Sequence, residues 1–161
     1  MIGPARWQSV GVAHDVQRSD LATRADIELL VRAFYRDAAV DELLGPVFEA
    51  APIDWPSHIE RITDFWVWQL LGGERYERNP LLAHRPVHER TPFTDAHYQR
   101  WLGLFADTVD DSFEGPIAEA AKTRATKMAN ALQRLLAGQS GDGAAATEVR
   151  VGGAQPAPDE R

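Results

Sequence analysis

Apolar residues recur every three or four positions along most of this 161-residue chain, and this spacing restricts it to a helical fold. In the first such stretch, Ile27, Leu30, Val31 and Phe34 share one face of a helix. Comparable stripes predict long helices over about 24–38, 55–71, 95–110 and 116–137. Since no segment shows the strict alternation typical of a half-buried strand, the sequence predicts an all-α fold.

The chain is predicted to hold one domain, because 161 residues do not comfortably make two. Residues 1–20 lack a helical period and are interpreted as a loose N-terminal arm. Residues 21–137 form the predicted domain. Gly, Ala, Ser, Gln and Pro dominate 138–161, which is predicted to be a disordered tail.

Composition excludes several kinds of chemistry. The chain has no cysteine, so disulfides, thiolate catalysis, iron–sulfur clusters and cysteine-based zinc sites are excluded. A formal net charge of -7 with scattered basic residues argues against a nucleic-acid partner. No apolar run reaches the roughly 18–20 residues that cross a membrane, and residues 1–16 lack a signal-peptide pattern. A cytoplasmic location is therefore expected.

His84 is the most informative single residue. Asn79 suits the cap of a short helix, Pro80 suits its first position, and Pro86 is expected to end it. So short a helix is unstable alone, and a metal bond from His84 would hold it in place. An ordinary surface histidine near a turn is the alternative. His88 lies four residues further on, but Pro86 is expected to prevent the continuous helix that a two-histidine metal site would need.

Four other side chains are candidates for a pocket. Tyr35 borders the apolar stripe of the first long helix, and Trp101 lies in the middle of the stripe on the third. His58 lies at the N-terminal end of the second, where the helix dipole disfavours its protonated form. Phe48 follows Gly45-Pro46 and is expected to cover a hydrophobic surface from a loop. Simple packing in the core is the ordinary explanation of such residues and stays open for each of them.

The order of these features resembles the truncated haemoglobins, specifically group III of that family. The resemblance covers nearly all of residues 24–137. It is carried by stretches at 33–35, 44–48, 58–66, 70–72, 79–84 and 100–105, together with Tyr76. One departure is the glycine pair Gly72-Gly73, which is typical of group I rather than group III.

The resemblance implies a shortened globin in which two pairs of helices form a two-over-two sandwich around haem b. It identifies His84 as the proximal residue that binds the iron. It also implies that Phe48 packs on the haem plane and that Ile62 is an apolar residue facing the bound ligand. The polar distal residues that it implies are Tyr35, His58 and Trp101.

The function implied is binding of oxygen, carbon monoxide or nitric oxide in a polar pocket. Several hydrogen-bond donors would make oxygen release slow, which favours sensing, scavenging or redox chemistry over bulk transport. A nitric oxide dioxygenase-like or peroxidase-like activity is conceivable, and either would need a separate reductase. No catalytic residue is predicted. Two alternatives stay open: a non-haem metal protein using His84, His88 and either His58 or His97, and a helical interaction module without a cofactor.

Overall fold

The computed structural model describes residues 18–145, and within that range the chain is helical with no strand. The six helices are α1 (Arg24–Ala38), α2 (Gly45–Glu49), α3 (Trp55–Leu71), α4 (Pro80–Arg90), α5 (Asp95–Ser112) and α6 (Pro116–Ala145). The all-α prediction is confirmed. None of these helices combines the length and apolar character needed to cross a membrane.

The ends of the long helices follow local sequence chemistry. At the start of α1, the Thr23 hydroxyl accepts from the Asp26 amide, and the Asp26 side chain accepts from the Thr23 amide. At the C-terminal end of α3, Gly72 adopts a left-handed conformation with φ of 71°. A Cβ at Gly73 would lie 2.8 Å from a Val67 methyl. The glycine pair is thus explained by how α3 ends.

The core forms where α1 packs on α3 and α5, and where α5 packs on α6. The rings of Trp66 on α3 and Phe105 on α5 stack with their centroids 4.9 Å apart. Phe34 of α1 meets Phe105 edge-on at 5.6 Å, so one aromatic group joins three helices. All three side chains are buried, and burying each contributes about 1.5–3 kcal/mol.

Two helix predictions in the site region were wrong. Pro86 does not end the helix that carries His84, because α4 continues through it to Arg90. A proline inside a helix removes one backbone hydrogen bond, here that to the Leu82 carbonyl, and α4 tolerates this loss. Phe48 lies on the short helix α2 and not on a loop.

The last helix also ends later than predicted. It extends to Ala145, so the first eight residues of the segment expected to be disordered are helical. Residues 146–161 and 1–17 lie outside the described residues. The division into arm, domain and tail therefore stays a prediction.

Asp20 connects the chain before α1 to the start of α6. Its carboxylate accepts hydrogen bonds from the amides of Leu21, Ile117 and Ala118 at 2.8–2.9 Å. Gly115, which precedes α6, has no side chain to cap it, and a Cβ there would lie 2.5 Å from the Asp20 carboxyl carbon. Asp20 therefore supplies from a distance the cap that α6 lacks locally.

We expect Asp20→Ala to lower the free energy of unfolding by about 1–2 kcal/mol, because two amides of α6 lose their acceptor. Partial burial opposes ionisation of Asp20, but the three amide hydrogen bonds outweigh it and lower the pKa of the carboxyl. The stabilisation is therefore present above the ordinary aspartate pKa and is lost as the pH falls through the lowered one.

Urea unfolding at pH 7 and at pH 3 measures this effect. Asp64→Ala is the matched control, since Asp64 forms only an exposed ion pair with Arg24 and should change stability by less than about 1 kcal/mol. Equal losses from the two variants would contradict the capping role of Asp20.

Candidate functional site

The imidazole of His84 is oriented by the backbone of its own helix. Its Nδ1 lies 2.7 Å from the carbonyl oxygen of Pro80, one turn earlier in α4. A carbonyl can only accept, so Nδ1 carries the proton and donates it. The neutral ring then presents the lone pair of Nε2, the atom that a metal ion would bind. Burial lowers the pKa of His84, although the bond to Pro80 acts in the opposite direction, and a low pKa favours this neutral form.

His58 offers a polar atom that has no partner in the described structure. Its Nε2 is buried, and no donor or acceptor among the side chains and backbone that the structure describes reaches it. Burial, together with the nearby positive charge of Arg61 and the electrostatic effect of His84, lowers the pKa of His58 to about 4. The ring is therefore neutral at physiological pH. A buried polar atom of this kind calls for a partner, and a bound ligand can provide one.

Tyr35 lies against His58. The two rings meet edge-on with their centroids 4.9 Å apart, and Phe48 meets the other side of Tyr35 at 5.8 Å. Burial raises the pKa of the Tyr35 phenol, so it remains protonated and can donate a hydrogen bond. The structure thus places three residues predicted from the sequence, on α1, α2 and α3, in one aromatic cluster.

The sequence analysis missed Trp55, the first residue of α3. Its ring lies 5.8 Å from Tyr35, 5.9 Å from Phe48 and 6.0 Å from His58, and 36% of its surface is exposed. Trp55 therefore covers the outer side of the cluster. Its position three residues before His58 on the same helical face was the available signal.

Trp101 and Ile62 lie beside the cluster. The indole of Trp101 meets Phe34 edge-on at 5.5 Å and stacks on Phe105 at 5.3 Å, and Phe34 in turn meets Tyr35 at 5.0 Å. Trp101 is half-buried and is connected to Tyr35 through Phe34. Ile62 lies one turn after His58 on α3 and packs, half-buried, against the core. Their predicted contacts with a ligand stay predictions.

The remaining described histidines accept hydrogen bonds from backbone amides. Nδ1 of His88 accepts from the Phe93 amide at 3.1 Å, and Nδ1 of His97 accepts from the Thr94 amide at 3.1 Å. The side chains that the structure describes include no group of three His, Asp or Glu arranged to hold a metal ion. The described structure therefore gives no support to a site built from His84, His88 and a third histidine.

These observations define a helical protein in which His84 presents an unprotonated ring nitrogen, His84 acts electrostatically on the neutral ring of His58, and His58 lies against the phenol of Tyr35. No family model matches the chain. The chain is 29% identical, over 114 residues, to the group 3 truncated hemoglobin ctb of Campylobacter jejuni, an alignment that covers 68% of this chain and 87% of that protein.

The solved structures give the same result. The crystal structure of the group III truncated hemoglobin from Campylobacter jejuni matches with a TM-score of 0.66 and 28% sequence identity, covering 74% of this chain and 94% of that one. The chain thus has the truncated globin fold. The resemblance to group III truncated haemoglobins predicted from the sequence is confirmed.

The low pKa of His58 implies that the stability of the folded protein depends on pH. An unfolded histidine titrates near 6.5, whereas folded His58 titrates near 4, so between these values the unfolded chain binds more protons. Stability should therefore fall as the pH decreases from about 6.5 towards 4. His58→Gln removes this contribution and should weaken the pH dependence.

The measurement is the urea midpoint of both proteins at pH 7, 6 and 5. His84 is present in both proteins, so its contribution largely cancels in the comparison. Parallel pH profiles would show that His58 titrates in the folded protein as it does in the unfolded chain.

Proposed function

We propose that this protein binds haem b through His84 and uses the space between His84 and His58 to bind oxygen, carbon monoxide or nitric oxide. One observation carries the proposal: the hydrogen bond to the Pro80 carbonyl leaves Nε2 of His84 as a free lone pair, while buried Nε2 of His58 lacks a partner. The globin family implies haem binding, and these residues fit it.

His84 is suited to the proximal role by its tautomer. A ligating histidine commonly donates its other ring N–H to a backbone carbonyl or carboxylate, which orients the ring and raises its basicity as a ligand. The bond to Pro80 meets this requirement within α4. Ferrous haem held by His84 would supply an iron able to bind a diatomic ligand.

On the distal side, Tyr35, His58 and Trp101 supply the polar groups. The Tyr35 hydroxyl and the Trp101 indole N–H are donors, and neutral His58 carries one donor and one acceptor nitrogen. Hydrogen bonds from these groups to a polar ligand are strengthened by the low dielectric of the surrounding aromatic side chains. Phe48 and Ile62 contribute apolar surface to the same pocket.

Strong retention of a ligand suits sensing, scavenging or redox chemistry more than bulk transport. Oxidation of nitric oxide or reduction of peroxide would be the redox reactions, with electrons from a separate reductase. The cellular location that we propose for the protein is the cytoplasm. A globin with two or more distal donors should release oxygen slowly, because one such hydrogen bond contributes about 1–3 kcal/mol and 1.4 kcal/mol is a tenfold change in affinity.

The first test of haem binding is His84→Gly. We expect the purified variant to lose the porphyrin absorption band or to recover it only with added imidazole, because no other side chain in the described site presents a free ring nitrogen on the proximal side. His88→Gly is the matched control on the same helix and should keep the band. Unchanged haem binding in His84→Gly would contradict the assignment.

The second test concerns the distal residues. Tyr35→Phe and Trp101→Phe should each change the oxygen dissociation rate by about tenfold or more, the effect of one hydrogen bond. Tyr98→Phe is the control, because the Tyr98 hydroxyl is also buried but belongs to the cluster around Phe93. Stopped-flow spectroscopy measures the rates. If neither Tyr35→Phe nor Trp101→Phe differs from the wild type, the distal assignment fails.

A further inference from the structure

Asp41 lies in the turn between α1 and α2, and its charged side chain is largely buried. Only 7% of this side chain is exposed, whereas the carboxylates of the other ion pairs in the described part of the chain are 42–71% exposed. A buried charge is costly unless it is paired and hydrogen-bonded. Asp41 meets this condition with partners on two sides.

One carboxylate oxygen of Asp41 holds the chain that enters α2. Oδ1 accepts hydrogen bonds from the amides of Leu43 and Leu44, each at 3.0 Å. The Asp41 carbonyl accepts a further bond from the Gly45 amide at 2.8 Å. Leu44 directly precedes α2, and its carbonyl accepts from the Phe48 amide at 3.4 Å. Asp41 thus fixes the start of the helix that carries Phe48.

The other carboxylate oxygen of Asp41 reaches α5. Nε and Nη2 of Arg100 each lie 2.6 Å from Oδ2 of Asp41, and these charge-assisted bonds join residues 59 positions apart. Arg100 immediately precedes Trp101, and consecutive Cα atoms are about 3.8 Å apart. The bond that fixes Arg100 therefore restricts the backbone position of Trp101 as well.

The elements joined by Asp41 carry two sides of the proposed distal pocket. On one side, the ring of Tyr35 on α1 meets Phe48 on α2 at 5.8 Å. On the other side, Trp101 on α5 meets Phe34 at 5.5 Å, and Phe34 meets Tyr35 at 5.0 Å. These are edge-on ring contacts, which are weakly directional. The ion pair, in contrast, fixes α5 at one position against the turn before α2.

We propose that the ion pair between Asp41 and Arg100 positions Trp101 for its hydrogen bond to the bound ligand. The inference rests on the proposed function. A useful N–H···O bond needs a donor–acceptor distance of about 2.7–3.2 Å, so the indole must be held more closely than edge-on ring contacts require. Asp41 and Arg100 are positioning residues, since both act through Trp101.

The competing explanation is that the pair only stabilises the fold. The ion pair between Arg24 and Asp64 represents that case, because it joins α1 to α3 and both of its side chains are 50% exposed. Arg24 precedes Tyr35 by eleven residues, roughly 16 Å along α1 at 1.5 Å per residue. Arg24→Gln is therefore the matched control for Arg100→Gln, since it breaks an interhelical ion pair away from the distal cluster.

Fluorine NMR of the full chain labelled with fluorotryptophan tests the position of the indole, with and without haem. The chain has five tryptophans, and Trp101→Phe identifies the Trp101 signal by its absence. We expect Arg100→Gln to shift or broaden this signal, while the signal of Trp68, near the C-terminal end of α3, stays unchanged. Arg24→Gln should change neither signal.

Two further variants separate the ion pair from its surroundings. Asp41→Asn removes the charge but keeps an oxygen for the amides of Leu43 and Leu44, so it should change the Trp101 signal as Arg100→Gln does. Arg100→Lys should keep the wild-type signal. Both guanidinium nitrogens bond the same oxygen, and a single ammonium group can replace them there.

Oxygen dissociation from the haem-loaded protein tests the connection to the ligand. Arg100→Gln should change the rate by about threefold to tenfold, in the same direction as Trp101→Phe and at most by the effect of one hydrogen bond. In the Trp101→Phe background it should have no further effect, because residues that act through one contact do not add. Arg24→Gln should leave the rate unchanged in both backgrounds.

Two results would overturn the proposal while haem binding itself stands. An unchanged Trp101 signal in both Arg100→Gln and Asp41→Asn would show that packing alone holds the indole. Additive effects of Arg100→Gln and Trp101→Phe on the dissociation rate would show that the pair acts on the site by another route. Failure of the wild type to take up haem would overturn the proposed function and this inference together, whatever the fluorine signals show.

Discussion

The hydrogen bond between His84 and the Pro80 carbonyl is the interaction on which the proposed chemistry depends. It selects which ring nitrogen is protonated, and so decides which one can bind a metal. Donor and acceptor are one turn apart on α4, so the tautomer is set by a helix and does not depend on a distant side chain. The same helix continues through Pro86 to Arg90, so His84 lies in the interior of α4 and not at its end.

Helices α1, α3 and α5 could be predicted from the sequence because their apolar stripes are regular and local capping residues mark their ends, whereas α6 extends past its predicted end. Thr23 with Asp26, and the glycines at 72 and 73, act within a few residues of where they stand. The end of α4 could not be predicted in this way. Its continuation past Pro86 is accompanied by the contact between His88 and the Phe93 amide, which forms only in the folded chain.

The same distinction applies to the candidate site. The family resemblance identifies Tyr35, Phe48 and His58 as site residues from the sequence. The structure shows that their rings are in contact. Trp55 was missed because a tryptophan at the first position of a helix breaks no pattern. The tautomer of His84 depends on the distance between two atoms and has no signature in the sequence beyond the spacing of Pro80 and His84.

The cap that Asp20 provides for α6 has a consequence for cooperativity. The amides of Ile117 and Ala118 bond to a residue almost a hundred positions earlier, so the start of the last helix cannot open without releasing the segment that precedes the first. In hydrogen exchange, the segment before α1 and the first turn of α6 would then behave as one opening unit. The segment before α1 is thus fastened to the start of the final helix, by the Asp20 carboxylate and by the hydrogen bond from the Glu114 amide to the Ser19 carbonyl.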